Sequence, residues 1–229
     1  MNPSISVIIP VYPNYKHIRR AVNSIRKQRY KNVEIIIVVD GIKEKLNIHG
    51  CKVIYHSKNE GTYKAYETGV KESSGEYIQF LDDDDVISIA TFRNAIDRMQ
   101  QFKADVVTYN MSTNIYDCND VKYGHSSIMN LWNNRTKPPT DQNLKPNLYK
   151  RDLVLKAMEL LNVTDYLFWG EDILLNKAIM SLCNIWVIDE SIGMYVVHRD
   201  GSNVSARISN EERLAQIDLV SKYMLKIPG

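Results

Sequence analysis

Short apolar runs alternate with amphipathic ones along the first half of the chain. Ser4 to Pro10 (Ser-Ile-Ser-Val-Ile-Ile-Pro) is a β-branched run closed by a proline that cannot donate to a ladder. Between Lys16 and Arg29, Ile18, Ala21, Val22 and Ile25 recur at i, i+3, i+4 and i+7, which predicts a helix with one apolar face. Val33 to Val39 is almost continuously apolar, the pattern of a strand covered on both faces in a parallel sheet, and it ends on Asp40-Gly41. A third strand is expected at Lys52–Tyr55, then a helix from Thr62 to Ser74 with Gly75 as its C-cap. Gly69 inside that helix costs about 1 kcal/mol relative to Ala, so close backbone packing is expected there. A strand at Glu76–Leu81 runs into Asp82-Asp83-Asp84-Asp85, followed by a helix at Thr91–Phe102 and a strand at Asp105–Tyr109.

Beyond Asn110 the rhythm breaks. Asn133 to Leu144 is polar, contains Pro138-Pro139, and reads as a long loop of the kind that often carries function. Helices are expected at Arg151–Leu161, Glu171–Leu182 and Asn210–Leu225, with an extended segment at Asn184–Val197. Strands alternating with helices imply βαβ units, hence an α/β fold with a Rossmann-like, mostly parallel sheet flanked by helices. Residues 1–110 form the sheet-building half and 111–229 an appended wall of the same single domain.

Composition narrows the class. At 229 residues, one mid-sized domain is favoured over two. Apolar residues at 44% and charged residues at 24% are globular values, which exclude a disordered or fibrous chain. A net charge of +2 falls far short of a nucleic-acid binder's balance, and no stretch approaches the ~20 apolar residues of a membrane span. Met1-Asn2-Pro3-Ser4 lacks a basic leader region, so no signal peptide is expected. Cys51, Cys118 and Cys183 are scattered outside any metal spacing, which suits a reducing cytosol. Lys16 to Lys31 holds Lys16, Arg19, Arg20, Arg26, Lys27, Arg29 and Lys31 and no acid. The plain reading is a solvated helix face; the functional one is peripheral contact with an anionic membrane, worth about 1 kcal/mol per basic residue. Tyrosine, at 14 against four phenylalanines and three tryptophans, suits a wet cleft handling hydroxylated ligands.

Candidate chemistry sits where ligands bind open α/β sheets, beyond the carboxyl ends of strands. Three such ends are informative: Pro10-Val11-Tyr12, Asp40-Gly41 and Asp82 to Asp85. Four adjacent carboxylates repel unless a cation compensates them, and hard Mg²⁺ or Mn²⁺ suits oxygen ligands and shares its shell with substrate phosphates. The alternative is that these acids only solvate a loop and cap the next helix. Asp40 can accept hydrogen bonds from a ligand, or simply form an Asp-Gly turn. Trp169-Gly170-Glu171-Asp172 opens a helix, where acids are stabilised by the dipole; a general base beside an aromatic platform is the functional alternative. His198, after an apolar extended run, is a candidate third metal ligand or diphosphate contact.

These residues resemble glycosyltransferase family 2, with the GT-A fold, over nearly the whole chain. Ser6 to Tyr12 looks like that family's opening strand, whose Pro10-x-Tyr12 lies near the nucleotide base, and Val38-Val39-Asp40-Gly41 like the strand end where an Asp reads the base. Asn59-Glu60-Gly61, then Gly75 through Asp85, is similar to the segment ending in the Asp-x-Asp motif. By that pattern Asp82 contacts the ribose side, Asp83 belongs to the donor-binding set and Asp84 holds the metal. Trp169-Gly170-Glu171-Asp172 resembles the acceptor-side Glu-Asp motif, with Asp172 the catalytic base and Trp169 and Glu171 at the acceptor. His198 to Ser205 looks like the variable closing loop over the donor. The chain departs from the pattern at Val39, where a second acid is usual, at Tyr66-Glu67, where an Arg-Asn pair is common, and at Asn14, displaced by Pro13.

The resemblance implies transfer of a sugar from a nucleotide diphosphate donor, most often a uridine diphosphate sugar, with inversion and Mn²⁺ or Mg²⁺ as cofactor. Residues 1–110 would then be the donor half and 111–229 the acceptor half. The acceptor would be a hydroxyl of a saccharide or glycolipid, in bacterial surface polysaccharide synthesis, in the cytoplasm or at the inner face of the membrane. Three rivals stand beside it. A nucleotidylyltransferase should show a glycine-rich loop after the first strand, where Val11-Tyr12-Pro13-Asn14 stands. A receiver-type signalling domain would leave the second half unexplained. A glycan- or nucleotide-binding protein of this fold without catalysis is the third.

Overall fold

The computed structural model describes residues 2–12, 16–113, 129–133, 144, 146–196 and 208–228. Its strands are β1 (Ile5–Val11), β2 (Val33–Asp40), β3 (Lys52–His56), β4 (Tyr77–Phe80), β5 (Val86–Ile87), β6 (Val106–Thr113), β7 (Met129–Asn133), β8 (Asn147–Lys150) and β9 (Ile185–Val196). The helices are α1 (Ile18–Arg26), α2 (Thr62–Lys71), α3 (Thr91–Phe102), α4 (Arg151–Leu161), α5 (Glu171–Leu182) and α6 (Asn210–Met224). The expected strands and helices of the first half all form, and α3, α4 and α5 have the expected bounds. Helix α1 is shorter than the pattern suggested. The buried side chain of Gln28 turns away to donate to the Ser88 carbonyl (2.7 Å) and to accept from the Phe92 N–H (3.3 Å), so the chain leaves the helix before Arg29.

All the strands share one sheet, ordered β3-β2-β1-β4-β8-β6-β9-β5, with β7 also on β9. The pairs β3–β2, β2–β1, β1–β4 and β6–β9 are parallel, while β8 lies antiparallel between β4 and β6. β5 and β7 run antiparallel to β9, so β1, β2, β3, β4, β6 and β9 point one way. The short β5, β7 and β8 escape the hydrophobic pattern because two to five residues give no periodicity to read. Through β8 and β9, residues beyond 111 are hydrogen-bonded into the same sheet as the first half.

Alternation along the central strands builds two cores. Ile5, Val7, Ile9 and Val11 of β1 join Ile35, Ile37 and Val39 of β2 against α1 and α3. Ile8, Ile36, Val38, Ile78 and Phe80 face the other way, against α2, α4 and α5. This double covering is why Val33–Val39 carries so little polarity. Helix α6 starts with a capping box, Ser209 Oγ accepting from the Glu212 N–H while Glu212 reaches back to the Ser209 N–H (2.9 Å).

Gly69 meets the expectation of close packing: a Cβ there would lie 2.3 Å from Ile8 Cγ2, and Ile8 is fully buried. Overpacking costs about 1–3 kcal/mol and the helix gains about 1 from Ala. The net cost is up to about 2 kcal/mol, so Gly69→Ala should lower the thermal midpoint by up to about 8 °C, read by calorimetry. Gly75 is not the helix C-cap. α2 stops at Lys71, with Glu72 capping in right-handed geometry, and Gly75 instead presses on β1, where a Cβ would sit 2.4 Å from Ser6 Oγ. Its N–H donates to that oxygen (2.8 Å).

Candidate active site

The chain leaves β1 toward β2 and β3 on one side and returns to β4 on the other. Crevices open at such a reversal, beyond the carboxyl ends of β1 and β4. β4 is prolonged by the Leu81 N–H donating to the Ile8 carbonyl (3.0 Å), and then turns, the Asp85 N–H reaching the Asp82 carbonyl (3.2 Å). The turn gathers acids. Asp82, Asp84 and Asp85 each present a carboxylate oxygen within 4.8 Å of the others; Asp83, though adjacent, is outside that trio. Oxygens sharing one Mg²⁺ at about 2.1 Å lie up to about 4.2 Å apart, so a small adjustment brings all three onto one ion. The donor set is hard, anionic and partly buried, and it fits a divalent cation. Asp85, nearly fully buried, was absent from the sequence-derived ligands although it belongs to the same run.

Arg20 of α1 holds this turn from below, its Nη2 donating to the Asp84 carbonyl (2.8 Å). The basic segment is thus more than a solvated face: Arg26 also reaches the His49 carbonyl, and Lys31 the Arg26 carbonyl (3.2 Å).

Tyr66 occupies the centre. Its ring meets Phe80 edge-on with centroids 4.8 Å apart, and its hydroxyl approaches Asp82 Oδ1 (3.5 Å). Burial, and after it the charges of Asp82, Glu171, Asp172 and Asp85, push that hydroxyl well above its ordinary pKa. Acids from the β4 turn and from the start of α5 thus lie near enough to bear on one buried phenol, with Asp82 in contact with it. Sequence reading noted Tyr66 only as a departure. Nothing in its spacing says that its neighbours would come from two distant segments.

Asp40, at the carboxyl end of β2, is buried and already engaged. Its Oδ1 accepts from the Glu60 N–H (2.8 Å) and lies 2.8 Å from His56 Nδ1, while Oδ2 accepts from the Gly61 N–H (2.9 Å). His56 Nε2 in turn lies 2.9 Å from Thr68 Oγ1. The carboxylate therefore seats the Asn59–Gly61 turn at the start of α2. Gly61 has φ +92°, and a Cβ there would meet the Leu167 carbonyl at 2.7 Å, so this turn demands glycine.

Tyr12 stands half-exposed just past β1, and Pro10 is half-buried within it. Tyr166, also half-exposed, lies in their neighbourhood: burial, then the nearby Tyr12 and Asp40, raise its pKa, against a hydrogen bond with Asn59. Sequence reading missed it, since an isolated tyrosine in a loop carries no pattern.

Glu171 and Asp172 are the first two residues of α5, entered through Gly170 at φ +75°. Asp172 Oδ1 accepts from the Ile173 N–H (2.8 Å). Trp169 is half-buried, with the Arg213 guanidinium 5.9 Å from its ring centroid. The structure thus brings Asp82, Asp84, Asp85, Glu171 and Asp172 to one region. His198 lies outside the described residues, as do Pro13, Asn14 and most of the 133–144 loop.

Comparison with known proteins agrees with this fold. The family model for glycosyl transferase family 2 matches residues 6–153. An uncharacterized glycosyltransferase of Rickettsia typhi is 35% identical over 114 residues, 47% of this chain and 36% of that protein. The uncharacterized glycosyltransferase EpsJ of Bacillus subtilis is 32% identical over 115 residues, 47% of this chain and 33% of EpsJ. GlyG of Streptococcus pneumoniae is 30% identical over 119 residues, 48% of this chain and 40% of GlyG. The matched segment thus spans little more than a third of these relatives. Among solved structures, residues 1–349 of S. aureus TarS in complex with UDP-GlcNAc superpose with a TM-score of 0.76 at 22% identity, covering 99% of this chain and 68% of that one. At that identity the likeness speaks for the fold, which is the GT-A type.

Proposed function

The chain belongs to glycosyl transferase family 2, and from that premise we propose that it moves a sugar from a nucleotide diphosphate donor to a hydroxyl acceptor. The donor is a uridine diphosphate sugar, the acceptor a saccharide or glycolipid, and the anomeric centre inverts. The observation that carries this reading is the convergence of the Asp82–Asp85 turn and the Glu171-Asp172 pair around Tyr66. TarS, of the same fold, has been crystallised with UDP-GlcNAc and with UDP, which supports a nucleotide sugar as donor.

Asp84, with Asp82 and Asp85, would hold Mn²⁺ or Mg²⁺. When bound, the cation neutralises charge on the departing diphosphate. The chain's own residues do the rest. Arg20 fixes the backbone of the acid turn, so that its carboxylates are preorganised. Tyr12 packs on the base at the β1 rim, with Pro10 beneath it, and Asp40 holds the Asn59–Gly61 turn against that rim. Asp82 and Asp83 line the donor side. Asp172 takes the proton from the acceptor hydroxyl as it attacks, and Trp169 and Glu171 seat the acceptor. In this reading His198 is a further ligand of the metal or a contact of the diphosphate.

A role in surface polysaccharide or glycolipid synthesis, in the cytoplasm at the inner membrane face, completes the proposal. Among the described residues no helix is long and apolar enough to cross a membrane; the contact proposed is a peripheral one.

A thermal-shift panel of nucleotide sugars, each with and without Mn²⁺, tests this. A ligand at 100 times its Kd stabilises by about 2.7 kcal/mol, or roughly 5–10 °C here. One uridine sugar should give that shift only with the cation. Absence of any cation-dependent shift across the panel would overturn the reading.

A further inference from the structure

The segment from Thr164 to Gly170 lies in no strand or helix, yet it delivers Trp169 and leads straight into Asp172. Its backbone groups must be satisfied elsewhere. One side chain satisfies three of them. Gln216 of α6, nearly fully buried, accepts on Oε1 from the Phe168 N–H (3.0 Å) and the Trp169 N–H (3.3 Å), and donates from Nε2 to the Tyr166 carbonyl (3.2 Å). The amide can take only this orientation, since the reverse would set its NH₂ against two donors.

The rest of the segment is pinned on both sides. The Leu167 carbonyl accepts from the Tyr63 N–H (3.2 Å) at the start of α2, beside Gly61. The Tyr223 hydroxyl of α6 accepts from the Thr164 N–H (3.0 Å) and donates to Asp165 Oδ2 (2.7 Å). Gly170 lies against Val220 of α6, where a Cβ would come within 3.0 Å of Cγ2. Gln216 and Tyr223 of α6 thus hydrogen-bond this one segment, while Leu219, Val220 and Met224 pack on the adjoining core.

Burying a glutamine costs several kcal/mol unless its bonds are made, so a helix needing only an apolar contact would be better served by leucine. A side chain that bonds three backbone groups within four residues fixes where the chain runs, which packing alone does not. We propose that Gln216 is a positioning residue: it sets the path of residues 166–169, and thereby the placement of Trp169 and Asp172 against the acid turn. This rests on the function proposed above. A misplacement of about 1 Å can cost on the order of 100-fold in rate.

The test combines amide hydrogen exchange with turnover. In Gln216→Leu, the Phe168 and Trp169 amides should exchange on the order of tenfold faster, their acceptor being lost. The kcat for Mn²⁺-supported hydrolysis of UDP-GlcNAc should fall on the order of tenfold or more. The affinity for UDP should stay within about twofold, because donor contacts lie on other elements. Turnover is measured for all variants at one temperature, about 20 °C below the lowest midpoint among them, so that lost stability alone does not move it. Gln216→Asn keeps the amide but is one methylene short, and should show smaller changes in the same direction; it decides the matter if the leucine variant does not fold. Faster exchange with parental turnover, or parental exchange and turnover in the asparagine variant, would overturn the proposal. Failure of the parent protein to hydrolyse or bind any nucleotide sugar would instead sink the proposed function, while exchange at residues 168 and 169 would still report whether Gln216 holds the segment.

Discussion

Asp172→Asn should reduce sugar transfer by roughly 10²–10⁴-fold, the range a positioned general base contributes. Asparagine is nearly isosteric, and its side-chain oxygen can still accept the Ile173 N–H that Asp172 now takes (2.8 Å). Loss of the charge at the second residue of α5 weakens the interaction with the helix dipole by only about 0.3–1 kcal/mol, so the fold should persist. UDP binding with Mn²⁺ should remain within about twofold of the parent, because the acid turn is on a different element. Radiolabelled transfer and calorimetry on the same preparation read the two quantities. An asparagine variant that transfers sugar at the parental rate removes Asp172 from the role of base.

Asp84→Ala should have the opposite profile, with donor binding losing its response to cation. Removing one of three carboxylates whose oxygens lie within 4.8 Å should weaken Mn²⁺-supported UDP binding by at least 10–100-fold, the loss seen when groups merely supporting a metal ligand are removed. Alanine keeps the backbone carbonyl that Arg20 grips (2.8 Å), so the turn itself should survive. Metal-free UDP binding is therefore expected to be little changed. If Mn²⁺ still enhanced UDP binding in this variant as in the parent, Asp84 would not be a ligand.

The two experiments separate the half-sites that Tyr66 brings together. An enzyme lacking only the base binds its donor and stalls. One lacking the metal carboxylate fails earlier, at donor capture.

Much of this was readable before any coordinates. The continuous apolarity of Val33–Val39 required a strand covered on both faces, and the two cores on either side of β2 are that covering. Gly69, costly in a helix, announced a close approach that proved to be Ile8. Gly75 was legible as necessary but misread as a cap, because a glycine after a helix and a glycine pressed on a neighbouring strand look alike in one dimension. The acid run was visible as a run. Its selection of Asp82, Asp84 and Asp85 over Asp83 follows from the turn, which no spacing rule specifies.

Periodicity and residue chemistry were enough to determine most of the elements and to mark the strand ends and acids proposed to carry the chemistry, because burial and charge repulsion act on each position locally. Tertiary structure alone decided that β8 enters between β4 and β6, that Tyr66 gathers acids from two segments, and that Gln216 grips a distant loop. Those outcomes depend on contacts between residues far apart in the chain, and a polar side chain gives no sign in its own neighbourhood of the backbone it will meet.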